Sequence, residues 1–294
     1  MAGNQNQPVR VYTKQYANIL GTVFQARAAF AQALAPVQIL DGVQQNKKAF
    51  SVKTSGVPVV VGEYKTGAND VFGDGSGVKN RFGNLTEVIY EDTDVDYDYT
   101  LAIREGFDRH TVNNDLNAAV ADRFKLQSEA QTRKASVRIG KHLSDAAGKD
   151  LALASLTDAE ILKTFNKAAA YFTDTEVTAP VTVYVRQEIY NAIVDMAANT
   201  AAKGSSVSID KNGVTMYKGF AIQPEAKSNF PTGTIALFVP NAIVIPFIGI
   251  QTARTIESND FDGVELQAAA KGGQYTLEDN KKAIIKVTGT ITEL

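Results

Sequence analysis

The sequence predicts an α+β fold, and the order of its parts says so. From Ala49 to Ile103 the chain reads as two strand-like runs separated by a long glycine-rich loop. A single helical period then runs over residues 111–147, and past residue 156 short β-rich runs alternate with helical ones. Strands, a solitary helix and a mixed region, in that order, make an α+β arrangement and not a regular βαβ repeat. No internal repeat of 20–50 residues is visible.

The elements follow in chain order. Residues 1–15 are polar and read as an extended arm. An alanine-rich segment from Tyr16 to Ala35 predicts a short helix stopped by Pro36, with a turn at Asp41-Gly42. The first strand is AFSVKTSGVPVVVGEY, interrupted by Gly56 and Pro58; the second, from Thr86, is TEVIYEDTDVDYDYTLAI. Between them lies TGANDVFGDGSGVKNRFGNL, residues 66–85. Unstructured loops beyond about 12–15 residues are uncommon in compact domains and usually functional. A hairpin of two long strands is marginal alone in water, so this one needs support from outside itself.

Residues 111–147 predict one helix, about 55 Å long at 1.5 Å per residue. Thr111 is placed to cap it, and Asp115 favours its dipole. Val112, Leu116, Val120 and Phe124 share one face. Its middle, KLQSEAQTRKAS, is polar, so the helix should lie across a surface. Gly140 weakens its last turns and Gly148 stops it. Thr157-Asp158-Ala159-Glu160 is a capping box that opens a second helix toward Phe172. VTVYV is a short strand, RQEIYNAIVDMAANT a helix, and Asn212-Gly213 marks a hairpin. GFAIQP, TIALFVP and AIVIPFIGI are further strands, Asp262-Gly263 a turn, and KAIIKVTGTITEL a closing strand.

Composition excludes several functions. A chain of 294 residues with 44% hydrophobic and 21% charged residues buries enough surface to need no disulfide or metal staple. There is no cysteine and there are two histidines, His110 and His142. Thiol chemistry is absent, and about 48 Å of helix would separate the histidines. The N-terminus is no secretory signal. The longest apolar run, residues 235–250, carries Pro240 and Pro246 and is too short to span a bilayer. The chain reads as soluble and made in the cytoplasm. Its net charge of −2 argues against a strongly basic nucleic-acid binder.

That small total hides a polarity. Residues 1–48 carry net +4, with Arg10 and Lys14 among the cations, and residues 49–110 carry net −5. Such segments attract each other, within a copy or between copies. Asp92, Asp94, Asp96 and Asp98 alternate with Thr93, Val95, Tyr97 and Tyr99, which sets four carboxylates on one strand face. A cationic surface opposite would stabilise them. Read as a calcium loop, the run fails at the turn glycine; only Glu105, counted from Asp94, meets the acid requirement. GDGSG, 73–77, lacks the strand-then-helix context of a phosphate loop and reads as a flexible tip, with Lys79 and Arg81 beside it. No catalytic residue, cofactor site or metal site stands out.

Arm, long excursion with a glycine tip, solitary helix, α/β region and returning strands: this order resembles the major capsid proteins of tailed bacteriophages, which share the Hong Kong 97-type fold. The most specific residues are VTVYVRQEIYNAIVDM, GFAIQPEAKSNFPTGTIALFVPNAIVIPFIGI and FDGVELQAAAKGGQYTLEDNKKAII, which are similar to capsid proteins of phages of Gram-positive bacteria. The resemblance implies an N-arm (1–45), an extended β-hairpin E-loop (46–110) and a spine helix in a P-domain (111–155). It further implies an α/β A-domain (156–255) and strands returning to the A- and P-domains (256–294).

It also implies a non-enzymatic shell protein, without cofactor, that self-assembles into pentamers and hexamers. The shell would enclose double-stranded DNA without reading its sequence and touch no membrane. A separate scaffolding protein, a portal and a decoration protein are the implied partners, and the virion, assembled in the host cytoplasm, is the implied location. Arg10, Lys14, Lys79, Arg81, Asp92, Asp94, Asp96 and Asp98 are the candidate contacts between subunits. Lys65 and Lys79 are loop lysines of the kind that some members crosslink, but no partner residue matches. The alternatives are an encapsulin-like shell or, from another class, a calcium-binding module or hydrolase built on the four aspartates.

Overall fold

The computed structural model describes residues 28–40, 48–57, 59–67, 80–83, 85–111, 116–196, 208–210 and 213–289. The chain divides into two compact units, residues 43–97 and the remainder. In chain order the elements begin with β1 (Gln38–Ile39), β2 (Lys48–Thr54), β3 (Glu91–Asp96), β4 (Tyr99–Asp108) and α1 (Leu116–Asp145). They continue with β5 (Lys149–Ala152), α2 (Asp158–Asp174), β6 (Val181–Arg186), α3 (Gln187–Asp195), β7 (Ser208–Asp210) and β8 (Gly213–Tyr217). The last are β9 (Phe220–Glu225), β10 (Thr234–Pro240), β11 (Ile245–Glu257), β12 (Gly263–Tyr275), α4 (Glu278–Lys281) and β13 (Ile285–Thr288).

The larger unit is organised on a seven-stranded sheet of order β5-β13-β10-β6-β9-β8-β7. TIALFVP makes β10, which is buried along its whole length between β13 and β6. Alternation along the strands sends side chains to opposite faces. Val183, Val185 and Phe238 join one apolar cluster; Tyr184, Leu237 and Val239 join another. The first is closed by α2, through Ile161, Phe165 and Phe172, and by α3, through Ile189 and Ile193. Its aromatic rings meet edge to face, with Phe165 and Phe220 at 5.1 and 5.3 Å from Phe238. The second is closed by Leu143 of α1 and by Phe30.

The α1 helix spans 30 residues, about 45 Å at 1.5 Å per residue. It is shorter than expected: Thr111 closes the turn after β4, its hydroxyl donating to Asp108 O (3.2 Å). Val112 and Asp115 lie outside the described residues. Leu116, Val120 and Phe124 are only half-buried; the buried face lies nearer the C-terminus and is built of Ser136, Gly140 and Ser144 at every fourth position, with Leu143. Gly140 is a close-approach position. A Cβ there would stand 1.8 Å from Asn229 O, so only glycine lets the helix sit this near the chain. His142 shares a hydrogen bond with Thr276 Oγ1 (2.9 Å), and burial holds its pKa below the ordinary imidazole value.

Several other expectations are corrected. The helix expected over Tyr16–Ala35 is, in its described part, one 3-10 turn at Ala31–Ala33. α2 starts at Asp158 as its sequence signature indicates, but the capping box is not formed. The Thr157 hydroxyl pairs with Ser155 Oγ (3.1 Å), and Glu160 accepts from Lys163 Nζ (3.0 Å). The second strand of the excursion is really two, β3 and β4, and residues 85–90 belong to neither. β4 finds its partner in β12, from Tyr99↔Gly272 to Asp108↔Gly263. The strand over AIVIPFIGI runs on to Glu257, so β11 and β12 form a 13-residue hairpin inside a four-stranded sheet of order β1-β11-β12-β4. Its middle, QTARTIESND, is polar and carries no strand alternation, which is why it escaped notice.

Charged side chains lock this sheet. Arg104 donates to both oxygens of Glu265 (2.8 and 3.1 Å), and Ser258 Oγ donates to the same carboxylate (2.9 Å). These bonds, Arg104 first, push the Glu265 pKa down to about 2. Glu105, on the neighbouring strand position, accepts from Arg123 (2.7 Å) and Gln127 (2.6 Å) and ties β4 to α1. Arg138 of α1 stacks over the Tyr99 ring at 3.7 Å. Among the described residues, no helix is long and apolar enough to cross a membrane.

Candidate interaction surface

Residues 43–97 form the unit where the candidate contacts concentrate. Among the described residues its regular part is the pair β2–β3. The first strand was expected to continue through PVVVGEY, but it ends at Thr54. Ser55-Gly56 follows immediately, and glycine without a packed side chain weakens a strand.

The acidic alternation is half confirmed. Asp92, Asp94 and Asp96 occupy alternate positions of β3, facing Lys53, Ser51 and Lys48 of β2 in register. Lys48 pairs with Asp94, and Ser51 Oγ donates to the same carboxylate (2.6 Å). The Lys48 ammonium and Ser51 hydroxyl hold the Asp94 pKa below the usual carboxylate range, and Asp94 holds that of Lys48 above its own. The cationic surface that the acidic row requires is therefore supplied in part by its own hairpin. Asp98 does not share the row. It belongs to the larger unit, where its carboxylate accepts from Gln274 N–H (3.0 Å) and its own N–H donates to Gly272 O (3.0 Å). A calcium or hydrolytic site needs converging carboxylates. Of the three aspartates on β3, Asp94 is already held by Lys48 and Ser51. Among the described residues no group of three or more His, Asp or Glu side chains is placed to hold a metal ion.

Arg81 lies beside the glycine-rich loop, as expected. Its guanidinium donates to Lys65 O (2.9 Å) and sits 5.9 Å from the Tyr64 ring, and Arg81 O accepts from Lys65 N–H (3.0 Å). Tyr64 and Phe82 meet edge to face at 5.1 Å. The two limbs of the loop thus run together at its base. Arg10, Lys14 and Lys79 lie outside the described residues.

The feature that charge reading missed is apolar. Val59 and Val61 are each 91% exposed and Leu85 99%, with Val60, Phe82, Val88, Ile89 and Tyr90 exposed beside them in sequence. Among the described residues of this unit, Val95 is the one buried apolar side chain. Residues 59–67 and 85–90 carry no regular secondary structure. An unpaired chain lined with large apolar side chains is unfavourable in water, and apolar surface of this kind marks an interaction site. The signal is present in PVVVG and VIY, whose β-branched apolar residues predict strands that pair with each other.

No family model and no curated protein matches the chain. Solved structures do. The mature capsid of bacteriophage PhiM1 is similar over 92% of this chain and 89% of its own, with 11% identity and a TM-score of 0.67. Mycobacterium phage Che8 is similar over 97% and 98%, with 15% identity and a TM-score of 0.61. The SrpI encapsulin from Synechococcus elongatus is similar over 95% and 96%, with 8% identity and a TM-score of 0.53. The chain therefore has the fold of capsid and encapsulin shell proteins, the Hong Kong 97-type α+β fold that its sequence resembles.

Proposed function

We propose that this protein is the major capsid protein of a tailed bacteriophage, a structural and non-enzymatic subunit that assembles with copies of itself. The observation that carries the reading is the unit 43–97: most of its described large apolar side chains are exposed to solvent, in a chain whose fold is similar to that of capsid proteins over 92–97% of its length. A segment that cannot bury itself is completed by a neighbour. In a closed shell each copy is held by several others, so modest contacts add up.

On this reading residues 1–45 are the N-arm and 46–110 the E-loop. Residues 111–155 form the P-domain spine, 156–255 the A-domain and 256–294 the returning strands. Pentamers and hexamers close an icosahedral shell around double-stranded DNA, in the virion, after assembly in the host cytoplasm. A scaffolding protein, a portal and a decoration protein complete the particle. Arg10, Lys14, Lys79 and Arg81 on one side, and Asp92, Asp94, Asp96 and Asp98 on the other, are proposed contacts between copies. Lys48 and Ser51 already engage Asp94, so the apolar run contributes more than the charges. The test is expression of the full chain, alone and with a scaffold, followed by electron microscopy. Closed shells or rings support the proposal, and a protein that stays monomeric under every condition contradicts it.

A second reading, an encapsulin-like compartment, is favoured by the likeness to the SrpI encapsulin. The phage capsids score higher on similarity across comparable coverage. Nucleic acid within particles from the native source supports the capsid; packaged protein supports the compartment.

A further inference from the structure

We infer that residues 28–35 are a latch that holds the C-terminal half of α1 against the seven-stranded sheet and that opens as a unit without unfolding that sheet. The inference starts from how little α1 does for itself. Among the described residues Leu143 is its only fully buried large apolar side chain; the rest of its buried face is Gln127, Ser136, Gly140 and Ser144. Small and polar side chains let the helix approach closely but remove little apolar surface from water.

The strap supplies what is missing. Ala29, Phe30 and Ala33 are fully buried. The Phe30 ring packs against Tyr184 at 4.9 Å and Phe230 at 5.8 Å, beside the space that Gly140 leaves open. Ala29 N–H donates to Ser136 Oγ of α1 (3.2 Å), and Ala33 N–H to Tyr184 Oη of β6 (3.0 Å). Gln32 accepts on its carbonyl from Ala242 N–H (2.8 Å) and on Oε1 from the Thr182 hydroxyl (2.7 Å). Ala35 N–H donates to Val244 O (2.8 Å), and Val244 N–H donates to Ala33 O (3.0 Å). One short segment thus joins α1, β6 and the turn between β10 and β11.

The latch also carries strain. Phe30 has φ 58°, in the left-handed region, a conformation that in a residue with a Cβ persists only where the surroundings enforce it. A short, strained segment over the smaller of the two apolar clusters is, on this inference, the part of the larger unit that opens first. The inference does not depend on the shell reading, since it concerns the single chain.

Amide hydrogen exchange of the full, unassembled chain tests it, in low denaturant. The expected result is one shared opening for residues 28–35 and for the C-terminal half of α1, at lower denaturant than β6 and β10. Phe30→Ala should accelerate exchange in both latch segments by about a hundredfold and leave β6 and α2 unchanged. Gln32→Ala, which keeps the ring, should accelerate the same two segments by less. The inference is overturned if α1 and β10 exchange together in the wild type, or if either variant accelerates the whole unit equally.

Discussion

In the larger unit β10 is buried from Thr234 to Pro240, whereas in 43–97 the valines from 59 to 61 are 77–91% exposed. TIALFVP and PVVVG are alike in composition: β-branched, apolar and free of charge. What differs is the supply of partners. β10 has β13 and β6 at its edges, with α2 and α3 over one face and α1 and the Phe30 strap over the other. Val59–Val61 lies in no strand and is exposed. The comparison teaches that an apolar run states a need for burial but not the molecule that meets it. In 43–97, on the proposed reading, the need is met by another copy of the chain.

Five substitutions or conditions sharpen this contrast, taken from the largest effect. Phe238→Ala should destabilise the larger unit by about 3–5 kcal/mol, read by urea denaturation. The triple change Val59→Ser, Val60→Ser, Val61→Ser should move the same transition by no more than about 0.5 kcal/mol per site while preventing assembly. A large loss of stability in the triple variant would mean that those valines are packed within their own copy. Gly140→Ala should cost about 1–3 kcal/mol through overpacking against Asn229 O, although alanine is the better helix former by about 1 kcal/mol.

Acid should weaken the larger unit in two stages. His142 has a lowered folded pKa, so the unfolded chain takes up its proton first and stability falls as pH drops below about 6.5. Glu265, with a folded pKa of about 2, stabilises above its unfolded value of about 4.3 and loses that contribution as pH falls toward 2. Thermal unfolding across pH should therefore lose part of its lower stage in Glu265→Gln, with Glu105 and Glu188 keeping the rest, and retain the upper one. The smallest effect is Thr157→Ala, expected to cost less than the 0.5–2 kcal/mol usual for an N-cap, because its hydroxyl is bonded to Ser155.

The order of parts, the α2 and α3 helices, the 208–217 hairpin and the central β10 were all legible, because each carries its own period, breaker or turn residues. The break between β3 and β4 was not. Alternation runs unbroken through DTDVDYDYT, and only the pairing of Tyr99–Asp108 with the distant Gly263–Gly272 stretch decides where one strand ends. The 13-residue β11–β12 hairpin was hidden for the same reason, since its outer half is polar. The acidic row was visible, but its neutralisation by Lys48 and Ser51 depends on a register with a bulge between Lys48 and Phe50 that no spacing reveals. The strap at Phe30 left no signal, because a left-handed phenylalanine is fixed by tertiary contacts alone.

The central claim is that the exposed apolar surface of 43–97 is completed by other copies of this chain. Hydroxyl-radical footprinting of Tyr64, Phe82 and Tyr90, compared between assembled particles and unassembled protein, tests it most directly. The account predicts that all three rings are strongly labelled before assembly and protected several-fold within particles. Equal labelling in the two states, with particles formed, would contradict it.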